Sequence, residues 1–149
     1  MIAEIQPSFA SHTALSRKVE YHLGKIDEGN ARVLYTSTGS DLASFPGDMR
    51  LVSQLNDRVK LPYSEITLSL YPGENLTDEQ WLSLSHEYLR EMGYEHACYA
   101  VILNSDKAHS HVHILTTTID EDGKRISSSN NYARSEKISR ALEESYGLR

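Results

Sequence analysis

An α+β fold, with a mainly antiparallel central sheet, flanking helices and a His-x-His pair on a central strand, is predicted by three features of the chain. Segments of two-residue and 3.6-residue periodicity interleave in the order β, α, β, α, β, α, β, β, α, which suits helices packed on an antiparallel sheet. Residues 99–103 (Y-A-V-I-L) are nearly all apolar and run through the turn Asn104-Ser105-Asp106-Lys107 into residues 108–115 (A-H-S-H-V-H-I-L), so the two segments pair as a hairpin. Residues 77–80 (T-D-E-Q) form a capping box that opens a well-defined helix ahead of that hairpin.

Residues 1–6 alternate weakly and predict a short first strand. Over residues 13–27, Leu15, Val19, Leu23 and Ile26 recur at helical spacing and form one narrow apolar stripe. Tyr21 falls roughly opposite the centre of that stripe and His22 on its flank. Packing therefore does not account for Tyr21, which is either an ordinary exposed tyrosine or a phenol offered to a cleft. Residues 31–36 predict a short strand, residues 37–47, rich in Ser and Gly and containing Pro46, a loop, and Met49, Leu51, Val52 and Leu55 a helix. After Pro62, residues 63–71 alternate apolar and polar side chains up to Pro72-Gly73. That alternation puts Glu65, Thr67 and Ser69 on one face, open to solvent or lining a site.

The capped helix carries Trp81, Leu82, Leu84, Tyr88, Leu89 and Met92 and stops at Gly93. Beyond the hairpin, residues 120–123 (D-E-D-G) form a turn, residues 127–131 a polar loop, and residues 135–146 a last helix that ends near Gly147. His12, His86 and His96 read as surface residues.

At 149 residues the chain has the length of one domain and needs no disulfides to bury a core. A hydrophobic fraction of 39% and a charged fraction of 24% are those of a soluble globular protein, with no apolar run of bilayer length and no secretory signal. The single cysteine, Cys98, fits a reducing cytoplasm. A net charge of −6 argues against unspecific phosphate-backbone binding as the main activity, but it leaves room for a local basic surface. Arg17, Lys18 and Lys25 cluster early, while Lys107, Lys124, Arg125, Arg134, Lys137 and Arg140 surround or follow the histidine segment.

His109, His111 and His113 occupy alternate positions of the predicted strand, so their imidazoles share a face while Val112 and Ile114 pack on the other. Same-face neighbours on a strand lie roughly 6–7 Å apart, within the span of one metal ion, and histidine is the commonest protein metal ligand. The competing reading is a half-solvated, His-rich strand without a metal.

The ordered motifs resemble those of the relaxase/mobilisation nucleases, members of the HUH endonuclease superfamily, in which two histidines flank a hydrophobic residue. They comprise K-V-E-Y (residues 18–21), I-T-L-S followed by P-G-E (66–74), E-Y-L-R-E-M-G-Y (87–94), D-K-A-H-S-H-V-H-I (106–114), I-D-E-D-G-K-R-I-S (119–127), Y-A-R-S-E-K-I (132–138) and the closing Y-G-L. The resemblance implies a DNA strand nickase and transesterase acting on single-stranded DNA at an origin of transfer, with relaxosome accessory proteins as partners and no membrane. It also implies that the chain is a single catalytic domain, the N-terminal portion of a longer relaxase.

By the same resemblance Tyr21 attacks the scissile phosphodiester to leave a 5′-phosphotyrosine link, while His111 and His113 hold Mg²⁺ or Mn²⁺. The third ligand is left open among His109, Asn104 and Glu65, because Asn104 and Glu65 stand where relatives carry histidine; Thr117 stands where they carry asparagine. A phenol, with a reference pKa of about 10, needs such activation at neutral pH. His22 is the competing nucleophile, since an imidazole also forms phosphoryl intermediates. Ser69, Lys107, Lys124, Arg125, Arg134 and Lys137 are the expected DNA contacts. Two rival functions are a relaxase fragment that binds single-stranded DNA or a relaxosome protein without cutting, and a generic metal-binding α+β domain.

Overall fold

The computed structural model describes residues 1–105 and 110–149, which form five strands and four helices. In chain order they are β1 (Ile2–Ile5), α1 (His12–Asp27), β2 (Ala31–Thr36), α2 (Phe45–Ser53), β3 (Tyr63–Ser69), α3 (Asp78–Met92), β4 (Ala97–Asn104), β5 (His111–Asp120) and α4 (Asn131–Tyr146). The strands build one sheet in the order β1-β3-β5-β4-β2, with every neighbouring pair antiparallel. The α+β class and the central place of the histidine strand follow directly from the sequence pattern.

Residues opposite one another in an antiparallel pair share a face, so the register sorts the side chains. His113 lies between Thr67 and Ile102, and His111 between Ser69 and Asn104. That face also carries Tyr63, Cys98, Ala100 and Leu115, which pack under Leu15 and Val19 of α1 and Phe45 and Met49 of α2. The opposite face carries Ile66, Leu68, Val101, Leu103, Val112 and Ile114 and is covered by Trp81, Leu84, Tyr88 and Leu89 of α3 and Leu142 of α4. Both faces of the central strands are thus buried, which explains why residues 97–104 read as a continuous apolar run.

Among the boundaries that depart from the sequence pattern, which include the start of α4 at Asn131 rather than at residue 135, two have a direct physical reason. Pro46 reads as a loop residue but stands in the first turn of α2, where its missing N–H removes no helical hydrogen bond. The histidine strand continues to Asp120 because Thr116, Thr117 and Thr118, polar by composition, are β-branched and buried. Thr117 also stabilises the irregularity at the start of β4: its hydroxyl accepts from the Cys98 N–H at 3.1 Å and donates to the Ile119 carbonyl at 2.7 Å. The capping box at Thr77 and the left-handed Gly93 stop of α3 form as expected. His109 and Lys107 lie outside the described residues.

Candidate active site

Helix α1 begins at Ser11, whose hydroxyl accepts from the Ala14 N–H at 3.1 Å, and crosses the histidine face of the sheet. Its buried residues are Leu15, Val19 and His22, spaced as one helical stripe. His22 therefore belongs to the buried face rather than its flank, while Leu23 and Ile26 are only partly buried. The sheet beneath this end of α1 presents Glu65 and His113, and the His22 ring packs against that of His113, its buried Nδ1 without a hydrogen-bond partner among the described residues. One residue earlier, Tyr21 points away and is 59% exposed, as its position off the apolar stripe requires.

Three elements meet at a cavity of about 300 Å³ lined by Arg17, Lys18, Tyr21, His22, Glu65 and His113. The His113 Nδ1–H donates to Glu65 Oε2 at 2.7 Å, with Thr67 Oγ1 3.4 Å from the same nitrogen. Lys18 Nζ donates to Glu65 Oε1 at 3.2 Å. The His22 and His113 rings lie 4.8 Å apart, and the candidate ligand atoms of His22, Glu65 and His113 all fall within 4.8 Å of one another. A histidine whose Nδ1 donates to a carboxylate is an arrangement common among metal-binding histidines. Two imidazoles and a carboxylate form a donor set that could hold a divalent metal ion.

Burial pushes the His22 imidazole down to about 4, and the charge of His113 adds to the shift. Burial of Glu65 opposes ionisation, but the hydrogen bond and charge of His113, with Lys18 and His22, outweigh it and hold the carboxyl below its usual range. At neutral pH the group is a neutral imidazole beside a carboxylate, the protonation state that metal ligation needs.

Both groups release protons more readily in the folded chain than in the unfolded one. Stability without metal is then full above pH 6.5 and falls as the pH drops from 6.5 towards about 4, because the unfolded chain takes up the His22 proton first. The urea midpoint is expected to be lower at pH 4.5 than at pH 7, and less so in His22→Gln. Equal wild-type midpoints would contradict the burial of a neutral His22.

The predicted site residues are only partly brought together. Glu65 and His113 join the group, and His22, weighed from the sequence only as a nucleophile, supplies its third member. The His111 ring packs edge-on 5.0 Å from that of His113, and Asn104 lies across from His111 with its buried Oδ1 lacking a hydrogen-bond partner among the described residues. Ser69, half-buried, pairs with His111 on the same face. Lys124 and Arg125 follow the far end of β5, and Arg134 and Lys137 belong to α4 on the opposite face, so none of them lines this cavity. The cations at the cavity are Arg17 and Lys18, with Lys25 Nζ 5.8 Å above the Tyr21 ring. His86 is not a plain surface residue: it is half-buried, its Nδ1 bonds the Tyr99 hydroxyl at 2.6 Å, and its ring packs on Tyr35.

A tyrosine lining the same cavity as a His-Glu-His group, on one face of an antiparallel sheet, defines the architecture as an α+β domain with a candidate metal site. Within that class the chain belongs to the relaxases, matching the MobA/VirD2-like relaxase nuclease domain over residues 21–148, a span that opens on Tyr21 itself. No curated protein matches the chain. No helix among the described residues is long and apolar enough to cross a membrane.

Proposed function

We propose that this relaxase domain is a metal-dependent, strand-specific DNA nickase and transesterase acting on single-stranded DNA at an origin of transfer. The observation that carries the reading is the placement of Tyr21, exposed at a cavity whose floor is His22, Glu65 and His113. His22, Glu65 and His113 would hold Mg²⁺ or Mn²⁺, which supplies Lewis-acid polarisation of a phosphoryl oxygen. Tyr21 supplies the nucleophile: its oxygen bonds to phosphorus, the bond from phosphorus to the 3′-oxygen breaks, and the products are a 5′-phosphotyrosine and a 3′-hydroxyl. The phenolic proton is balanced by the one taken up at the 3′-oxygen.

Arg17, Lys18 and Lys25 provide the positive charge that flanks the reacting phosphate, and the half-buried hydroxyls of Thr67 and Ser69 continue the polar face along β3. Lys18 also holds Glu65 in place through its 3.2 Å ion pair. A non-cutting reading draws support from Asn104, an amide at a position where the family resemblance implies a histidine. The two readings separate on one experiment. Incubation with single-stranded oligonucleotides covering the origin of the element that encodes the protein, with and without Mn²⁺, should give a metal-dependent covalent protein–DNA adduct. Metal binding and DNA binding without an adduct would favour the non-cutting reading.

A further inference from the structure

A second cavity, of about 350 Å³, lies on the α3/α4 face of the sheet where β3 begins and β5 ends. Arg58 and Lys60 reach it from the loop before β3, and Arg125 from the turn after β5. Among the described residues no carboxylate lines it. Among the described residues none of these three cations pairs with an acid, and the Lys60 ammonium donates only to the Asp57 carbonyl at 3.1 Å. Ser64, only 2% exposed, lines the cavity with a hydroxyl that has no hydrogen-bond partner among the described residues. The hydroxyl is open to the cavity, so a ligand or water entering there can bond it.

The walls are fixed in advance. Asn56 Nδ2 donates to the Gly123 carbonyl at 3.0 Å, tying the Arg58 loop to the Arg125 turn. Gly123 sits at φ +83°, and a Cβ there would stand 3.2 Å from the Leu55 carbonyl oxygen, so this close approach requires glycine. On the other side, Arg134 donates from Nε to the Ser129 carbonyl at 3.0 Å and from Nη2 to the Ser127 carbonyl at 3.1 Å. Those bonds hold the loop that brings Ser128 and Asn131 to the cavity. Asn130 makes no side-chain cap on α4, whose first N–H, that of Asn131, donates to the Ser128 carbonyl at 3.2 Å.

We propose that this cavity is a phosphate-binding subsite, separate from the Tyr21 cavity and on the other face of the sheet. Arg58, Lys60 and Arg125 neutralise the anion, and Ser64 donates to one of its oxygens. The phosphate belongs either to a nucleic-acid backbone held away from the reacting bond or to a free phosphate or nucleotide. The subsite stands on these residues alone and does not depend on strand cleavage.

The test compares the full chain with Arg58→Gln/Arg125→Gln and with Ser64→Ala. In one arm inorganic phosphate is titrated while the backbone amide signals of residues 64 and 128 are followed by NMR. In the other, single-stranded oligonucleotide affinity is measured against salt concentration. Phosphate-induced shifts in the wild type that both variants weaken several-fold would identify a free-anion site. A salt slope of log K lower by roughly 0.7 for each lost contact in the double variant, and unchanged in Ser64→Ala, would identify a backbone site. Charge-conserving Arg58→Lys/Arg125→Lys should restore that slope, which a merely structural role of the arginines would not predict. No shift at residues 64 and 128 together with an unchanged salt slope would overturn the proposal.

Discussion

Tyr21→Phe is expected to form no detectable covalent adduct with origin DNA while binding Mn²⁺ as the wild type does. The side chain is 59% exposed, so removing its hydroxyl leaves the core untouched and should change stability by less than about 0.5 kcal/mol. Its ring contacts are the His22 edge at 5.5 Å and the Lys25 ammonium at 5.8 Å, both of which phenylalanine retains. The substitution therefore isolates the oxygen. Electrophoresis under denaturing conditions reads the adduct, and calorimetry reads the metal. An adduct of wild-type yield in Tyr21→Phe would remove the phenol from the chemistry and turn attention to His22.

The second large effect concerns the metal group. His113→Ala removes a donor atom and the 2.7 Å hydrogen bond that orients Glu65, and His22→Ala removes the donor contributed by α1. Losing an orienting partner of a metal ligand typically costs 10–100-fold in affinity, so losing a ligand should cost at least about 100-fold for Mn²⁺ in each variant. His111→Ala should cost less, roughly 10-fold, because its ring borders His113 without entering the group of three. Equal losses in His111→Ala and His113→Ala, with none in His22→Ala, would return the ligand set to the histidine strand alone.

How much of this was legible in the sequence depended on the kind of signal. Period-two alternation placed Glu65 and Thr67 on the face that His113 shares, and β3 pairing with β5 brings them together. Tyr21 was legible because it did not fit the apolar stripe of its own helix. His22 as a member of the metal group was not, because a helical wheel assigns the buried face from apolar residues alone, whereas α1 turns to bury an imidazole over Glu65 and His113. The one available signal was its spacing from Leu15 and Val19.

The basic residues lie farther from the Tyr21 cavity than their sequence positions suggest. Lys124, Arg125, Arg134 and Lys137 follow the histidine strand closely in sequence, but β5 is 10 residues long and α4 then packs on the other face. Nearness along the chain becomes distance across the sheet. The segment after Leu115 was hidden in the same way by composition, since three threonines read as polar although their branched side chains suit a buried strand.

The most direct test of the central claim is identification of the linked residue. Wild-type protein, Mn²⁺ and a single-stranded origin oligonucleotide would be allowed to react, the adduct digested with protease and nuclease, and the nucleotide-bearing peptide sequenced by mass spectrometry. The account predicts a 5′-phosphate ester on Tyr21, formed only when the metal is present. An adduct on His22, on any other residue, or in equal yield after chelation would contradict it.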